Sequence, residues 1–215
     1  MSLLVLSATP FEVHQEMIAR HTGVQLLIGG VGVPATIYTL LKALERQPRQ
    51  LVIQAGIAGS FMPGYNRVET VIVEKDCFAD LGTEEKNSFR SVFESGLAEA
   101  GSFPFREGWL WNEHPLLPQL PLQKVSGITV NKVTDDNRHN LAFAQKYGAA
   151  VESMEGAALH YVCLQEKIPF LQLRTLSNQV GERDKSRWKM AEAIEQLNRE
   201  LDQLLAFVNS NNPTE

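Results

Sequence analysis

The sequence predicts one α/β domain: a mostly parallel or mixed central sheet flanked by helices. Three observations carry this. Short apolar runs of strand length alternate with helically spaced segments along the chain, the order that lays helices on the faces of a sheet. No internal repeat, linker or low-complexity block interrupts the alternation. The 215 residues suffice to bury one substantial core. The domain is expected over residues 1–208, followed by a polar tail at 209–215.

Each element has its own signal. Residues 3–6 are a continuous apolar run, read as a buried strand. Thr9, Pro10 and Glu12 have the spacing of a capping box, which predicts a helix over residues 11–20. A strand is expected at 24–28 and a helix at 34–46, with Gly29, Gly30 and Gly32 between them. Residues 51–53 form a strand running into a Gly-rich loop, Gln54 to Gly59, and residues 70–73 form the next strand. Weak periodicity and several prolines make residues 82–121 irregular, with short helices. Strands at 124–130, 149–152 and 170–175 alternate with helices over 137–147, capped at Asp136 or Asn137, and 154–166. A polar loop at 178–187 leads to an amphipathic helix over 187–208 with Ala191, Ile194, Leu197, Leu201, Leu204 and Leu205 on one face.

Composition narrows the function. A net charge of −5 with no basic tract argues against a nucleic-acid partner. No run approaches the 18 apolar residues of a membrane span, and the start of the chain lacks the charged region of a signal peptide, so a cytoplasmic protein is expected. Cys77 and Cys163 form no metal-type pair; Cys163 reads as packed core. No metal and no cofactor are expected. Gly29 to Gly32 is not a dinucleotide fingerprint, and no Walker motif is present.

In an open α/β sheet, ligands gather beyond the carboxyl ends of the strands. Those loops hold Glu12, Gly29 to Gly32, Gly56 to Gly59, Glu155 and Asn178. Taken alone, Glu12 is a carboxylate favoured by a helix dipole, each glycine cluster is a turn, and Glu155 is a helix start. Arg174, inside an apolar strand, demands a buried partner, either a structural ion pair or a ligand. His139 and His160 carry no assigned role.

Taken in order, these loops resemble the nucleoside phosphorylase/nucleosidase superfamily. Gln54 to Ser60 is similar to its N-T-G-S-A-G-G loop, Val151 to Ala158 to its V-E-M-E-A-A segment with Ser153 as an extra residue, and Arg174 to Asn178 to its R-x-I-S-D segment. The resemblance spans residue 3 to about 180 and implies a nucleoside phosphorylase-like fold and a small purine nucleoside as substrate. It gives Glu12 the role of general base that activates water, Glu155 the ribose hydroxyls, and Met154 a place under the sugar. Ala58 and Gly59 would line the ribose and nucleophile site, Thr134 would contact substrate, and Asn178 would meet the purine at N7 and its 6-position. It implies a homo-oligomer, dimer or hexamer.

Two departures set the subclass. Phosphorylases of the superfamily hold phosphate with an arginine before the strand-end glycine and a serine after it; here Gln54 and Ile57 stand there, and neither supplies a charge-assisted contact. Hydrolysis is therefore expected. Asn178 replaces an aspartate that acts as the acid in nucleosidases for adenine-bearing substrates. An amide is no general acid but suits a 6-oxopurine, and the segments Val151 to Gly156 and Ser177 to Asp184 resemble the subfamily that hydrolyses futalosine, releasing hypoxanthine in menaquinone biosynthesis. Asp184 is then the alternative proton donor, and Arg183, Lys185, Arg187 and Trp188 are expected to hold the benzoate-type tail or close over the site. The alternatives are a methylthioadenosine/S-adenosylhomocysteine nucleosidase, which Asn178 disfavours; a purine nucleoside phosphorylase, which Gln54 and Ile57 disfavour; and a non-catalytic nucleoside-binding module, which needs no water-activating Glu12.

Overall fold

The computed structural model describes residues 2–62, 68–86 and 88–211. Its elements are β1 (Leu3–Ser7), α1 (Gln15–Ile18), β2 (Val24–Ile28), α2 (Val33–Arg46), β3 (Leu51–Ser60), β4 (Thr70–Asp76), β5 (Gly82–Glu85) and β6 (Ser88–Ser91). There follow β7 (Leu110–Trp111), β8 (Gln123–Thr129), α3 (Asn137–Tyr147), β9 (Val151–Ser153), α4 (Gly156–Gln165), β10 (Phe170–Gln179) and α5 (Met190–Asn211).

The mixed sheet runs β10-β4-β8-β9-β3-β1-β2, with β7 beside β4. β1 is buried along its whole length between parallel β2 and β3, as a continuous apolar run requires. Its alternate residues serve two cores. Leu3 and Val5 join Ile53, Leu171 and Leu173 under Leu197, Leu201, Leu204 and Leu205 of α5. Leu4 and Leu6 join Val52 and Phe170 under Leu40 of α2 and Leu159, Val162 and Cys163 of α4. Each fully buried leucine contributes about 1.5–3 kcal/mol. The α/β architecture follows the expectation, and Cys163 is core, as its apolar setting predicts.

β10 also pairs with β3, so β3, β10, β4, β8 and β9 close on themselves. Ala58, Val71, Val73, Val125, Val151 and Leu176 form one buried cluster contributed by this ring of strands; side chains this small suit a tight closed sheet.

The departures have local causes. The helix expected over 11–20 shrinks to Gln15–Ile18. Half of the capping box forms, since the Thr9 amide donates to Glu12 Oε2 at 3.1 Å, but Glu12 is committed elsewhere and residues 8–13 stay a turn. β3 runs on through the Gly-rich stretch to Ser60, and β10 runs to Gln179, so Asn178 stands on a strand rather than in a loop. The region 82–121 holds a hairpin of β5 and β6 and the short β7. α4 starts at Gly156 and α5 at Met190, each later than expected. α5 continues to Asn211, past the start of the expected tail; residues 212–215 lie outside the described residues. No helix of the described residues is long and apolar enough to cross a membrane.

Candidate active site

β3 changes neighbours along one edge. β10 accompanies its other edge from Val52 to Ser60. On the first edge β1 pairs with residues 51–54 and β9 with Gly59 and Ser60. Between them residues 55–58 face no strand. The Ile57 N–H released there donates to Glu12 Oε1 at 3.1 Å. Such a divergence at the carboxyl ends of strands is where an α/β sheet opens a ligand crevice.

Beside it lies a cavity of about 350 Å³. Phe11, Val31, Ile57, Val133, Met154, Val180, Trp188, Met190 and Ile194 supply apolar wall, with a few convergent polar groups, the usual make-up of a small-molecule site. It gathers Glu12, Ala58, Gly59, Thr134, Met154, Glu155, Asn178 and Arg183. Asp184 is not among its lining residues. Its carboxylate accepts from the Ser186 amide at 3.0 Å and hydroxyl at 2.7 Å, and these bonds hold it below the usual carboxylate range. Asp184 thus stands beside the cavity, next to the lining residue Arg183, with its carboxylate occupied by the Ser186 turn. Arg183 lies 5.5 Å over the Trp188 ring, whereas Arg187 is paired with Glu182 and Asp184; neither Arg187 nor Lys185 lines the cavity.

The buried end is densely wired. Glu12, 8% exposed, accepts at Oε2 from the amide and hydroxyl of Thr9, both at 3.1 Å, and from Ser7 Oγ at 3.4 Å. Its carbonyl takes Asn198 Nδ2 at 2.9 Å, while Asn198 Oδ1 takes the His14 amide at 2.8 Å, so α5 clamps the Glu12 turn from behind. Glu155 accepts from the Gly32 amide at 3.0 Å, at the start of α2 where the helix dipole favours an anion. Its other oxygen lies 3.7 Å from Arg174 Nη1. Burial raises the Glu155 carboxyl, with Arg174 and Gly32 opposing and Glu12 adding. Arg174, 1% exposed, donates to Gln54 Oε1 at 2.8 Å, so a buried partner meets it in the fold. Gly56 is required here: a Cβ would sit 2.6 Å from Arg174 Nη1 and 2.9 Å from Glu12 Oε1.

The other end is looser. Asn178 accepts from Ser177 Oγ at 2.8 Å and donates to the Gln179 carbonyl at 2.9 Å. That leaves one amide hydrogen and one oxygen lone pair. Thr134 Oγ1 takes the Asp136 amide at 3.1 Å. Glu152, absent from the sequence-based set, also lines the cavity. Burial pushes its carboxyl up to about 7, with Asp80 adding and Arg183 opposing. Glu152 lies inside the Val151 to Ala158 segment that carries the resemblance, but no role attaches to it there. Asn198 had no sequence signal, because its contacts cross 184 and 186 positions of chain. His160 is buried against the Leu110 carbonyl and His139 stacks on Phe143; neither lines the cavity. Among the described residues no cluster of His, Cys, Asp and Glu could hold a metal ion.

Comparison with known proteins gives the site a context. A family model described as "Phosphorylase superfamily" matches residues 10–210. A futalosine hydrolase of Thermus thermophilus is 34% identical over 198 residues, covering 87% of this chain and 83% of that protein. A futalosine hydrolase of Streptomyces coelicolor is 28% identical over 209 residues, covering 90% and 83%. Among solved structures, futalosine hydrolase of Helicobacter pylori superposes with a TM-score of 0.78 at 13% identity, covering 96% and 98% of the two chains. A 5'-methylthioadenosine/S-adenosylhomocysteine nucleosidase of S. pneumoniae gives a TM-score of 0.78 at 16% identity, covering 99% and 100%. At these identities the structural matches speak for the fold alone.

Proposed function

The chain belongs to the phosphorylase superfamily, and on that premise we propose that it is a nucleosidase that hydrolyses futalosine to hypoxanthine and dehypoxanthine futalosine. The observation that carries hydrolysis is the wiring of the buried end. A phosphate there would meet the carboxylates of Glu12 and Glu155. The nearest cation, Arg174, is already bonded to Gln54 and paired with Glu155. Water is the nucleophile this arrangement accepts. The futalosine hydrolases of Thermus thermophilus and Streptomyces coelicolor support the substrate.

In this reading Glu12 orients water and takes its proton as the oxygen attacks the anomeric carbon. The C–N bond breaks, its electron pair leaves with the base, the base takes up one proton from solvent, and Glu12 returns to solvent the proton it took from water. Positive charge developing on the ribose is stabilised by the nearby carboxylates, and Glu155 accepts from the ribose hydroxyls. Met154 packs under the sugar, Ala58 and Gly59 line the ribose, and Thr134 contacts substrate. Asn178 polarises the base through its remaining N–H without donating its proton. Arg183, exposed at the cavity mouth beside Trp188, meets the tail carboxylate. Phe11, 79% exposed, and Val31 leave apolar surface at the cavity, which supports a homo-oligomer, dimer or hexamer. The chain works in the cytoplasm, without cofactor, as a single domain that includes α5 to Asn211.

Base release from futalosine, inosine and methylthioadenosine, each with and without phosphate, tests this. Hypoxanthine should appear from futalosine regardless of phosphate. Release from inosine only with phosphate would make the protein a phosphorylase, and adenine from methylthioadenosine would make it the other nucleosidase.

A further inference from the structure

Four carboxylates line the cavity: Glu12, Glu152, Glu155 and Glu182. Glu12 and Glu155 are held as described. Glu182 takes the Asp184 amide at 2.8 Å and Arg187 Nη1 at 3.1 Å. Among the described residues, no hydrogen bond or ion pair holds the Glu152 side chain. Its oxygens keep their acceptor capacity for what occupies the cavity, solvent or ligand.

Strand register says where it points. In β9, Glu152 pairs with Gly59 of β3; in β10, Asn178 pairs with the same Gly59 from the other side. Residues paired across neighbouring strands project from the same face of a sheet. Glu152 and Asn178 therefore flank Gly59 on one face, two strand spacings or roughly 9–10 Å apart at their backbones. The middle position has no side chain, and a Cβ there would meet Val180 Cγ2 at 2.9 Å. The Val180 side chain covers that middle position, so the row sets an amide and a carboxyl on either side of an apolar floor.

We propose that Glu152 selects the base: its carboxylate accepts the N1–H of a 6-oxopurine whose O6 or N7 is met by Asn178. A 6-oxopurine carries a donor at N1 beside an acceptor at O6, whereas a 6-aminopurine reverses both. A carboxylate accepts only from the first, so the pair discriminates where Asn178 alone does not, since an amide both donates and accepts. This rests on the futalosine reading above.

The experiment compares kcat/KM for futalosine and for its 6-amino counterpart in wild type, Glu152→Ala and Glu152→Gln, with thermal melts to confirm folding. Glu152→Ala should lose about 10–100-fold for futalosine, the range of a hydrogen bond to a charged group, with little change for the 6-amino compound. Glu152→Gln, an amide that both donates and accepts, should lose most of the preference, as Glu152→Ala does. Calorimetric titration with hypoxanthine and 1-methylhypoxanthine gives a second readout: wild type should prefer the unmethylated base and Glu152→Ala should not. An equal loss for both nucleosides, or an unchanged preference in Glu152→Ala, would overturn the assignment. Wild type that releases no hypoxanthine from futalosine would instead overturn the futalosine reading; the hypoxanthine titration then decides Glu152 separately.

Discussion

The two ends of the cavity are built on different terms. At the sugar end, Glu12, Glu155, Arg174 and Gln54 are nearly sealed from solvent and bonded to one another or to backbone amides. At the base and mouth end, Glu152 is unbonded, Asn178 keeps half its capacity, and Arg183 stands in solvent. Preorganised groups cost no rearrangement when charge develops in a transition state. Unfilled groups are completed by ligand and reject ligands that leave them unpaired. On the proposed reading, the chemistry belongs to the wired end and the choice of substrate to the unwired one.

That division can be broken at several points. The largest effect is expected from Arg174→Met, which removes the cation from a buried acidic cluster and should lower unfolding free energy by about 3–5 kcal/mol in urea denaturation. Glu12→Gln keeps the shape but not the base, and kcat should fall about 100-fold or more with KM little changed. Next comes pH. Glu152 sits at about 7, so its carboxylate is neutral below that pH and ionised above it. As acceptor of a base N–H it must be ionised, and KM for futalosine should therefore rise as pH drops through about 7. Asp80 favours the neutral form and Arg183 the ionised one. In Glu152→Gln that rise should vanish. The smallest effect is expected from Asp184→Asn, which should leave kcat within about twofold, because its carboxylate only caps the turn at Ser186; a large loss would return Asp184 to the chemistry.

The wired end was the more legible in sequence. Glu12, Glu155 and the Gly56 region stand at strand ends where any α/β fold collects ligands, and the family resemblance names them. The alternation of strands and helices was equally plain. Less legible was whatever depends on register. A run of Gly and Ala after Ile53 looks like a turn, yet it is strand, because the closed sheet leaves room for little else beside Arg174 and Glu12. Glu152 lies in the family-like segment Val151 to Ala158, but its place at the cavity depends on its pairing with Gly59. The hairpin of β5 and β6, with Glu84, Glu85 and Arg90 on it, lacks the apolar alternation by which strands are recognised.

The gap that opens when β3 leaves β1 before meeting β9 has a consequence for solvent access. The Ile57 amide belongs to a strand, yet its partner is a side chain rather than a neighbouring strand. Its proton should exchange slowly with deuterated water only while Glu12 is in place. Shortening Glu12 to alanine would let that amide exchange freely while Val52 and Ile53, deep in the same strand, remain protected. One amide thus reports, by isotope uptake, whether the Glu12 carboxylate is seated.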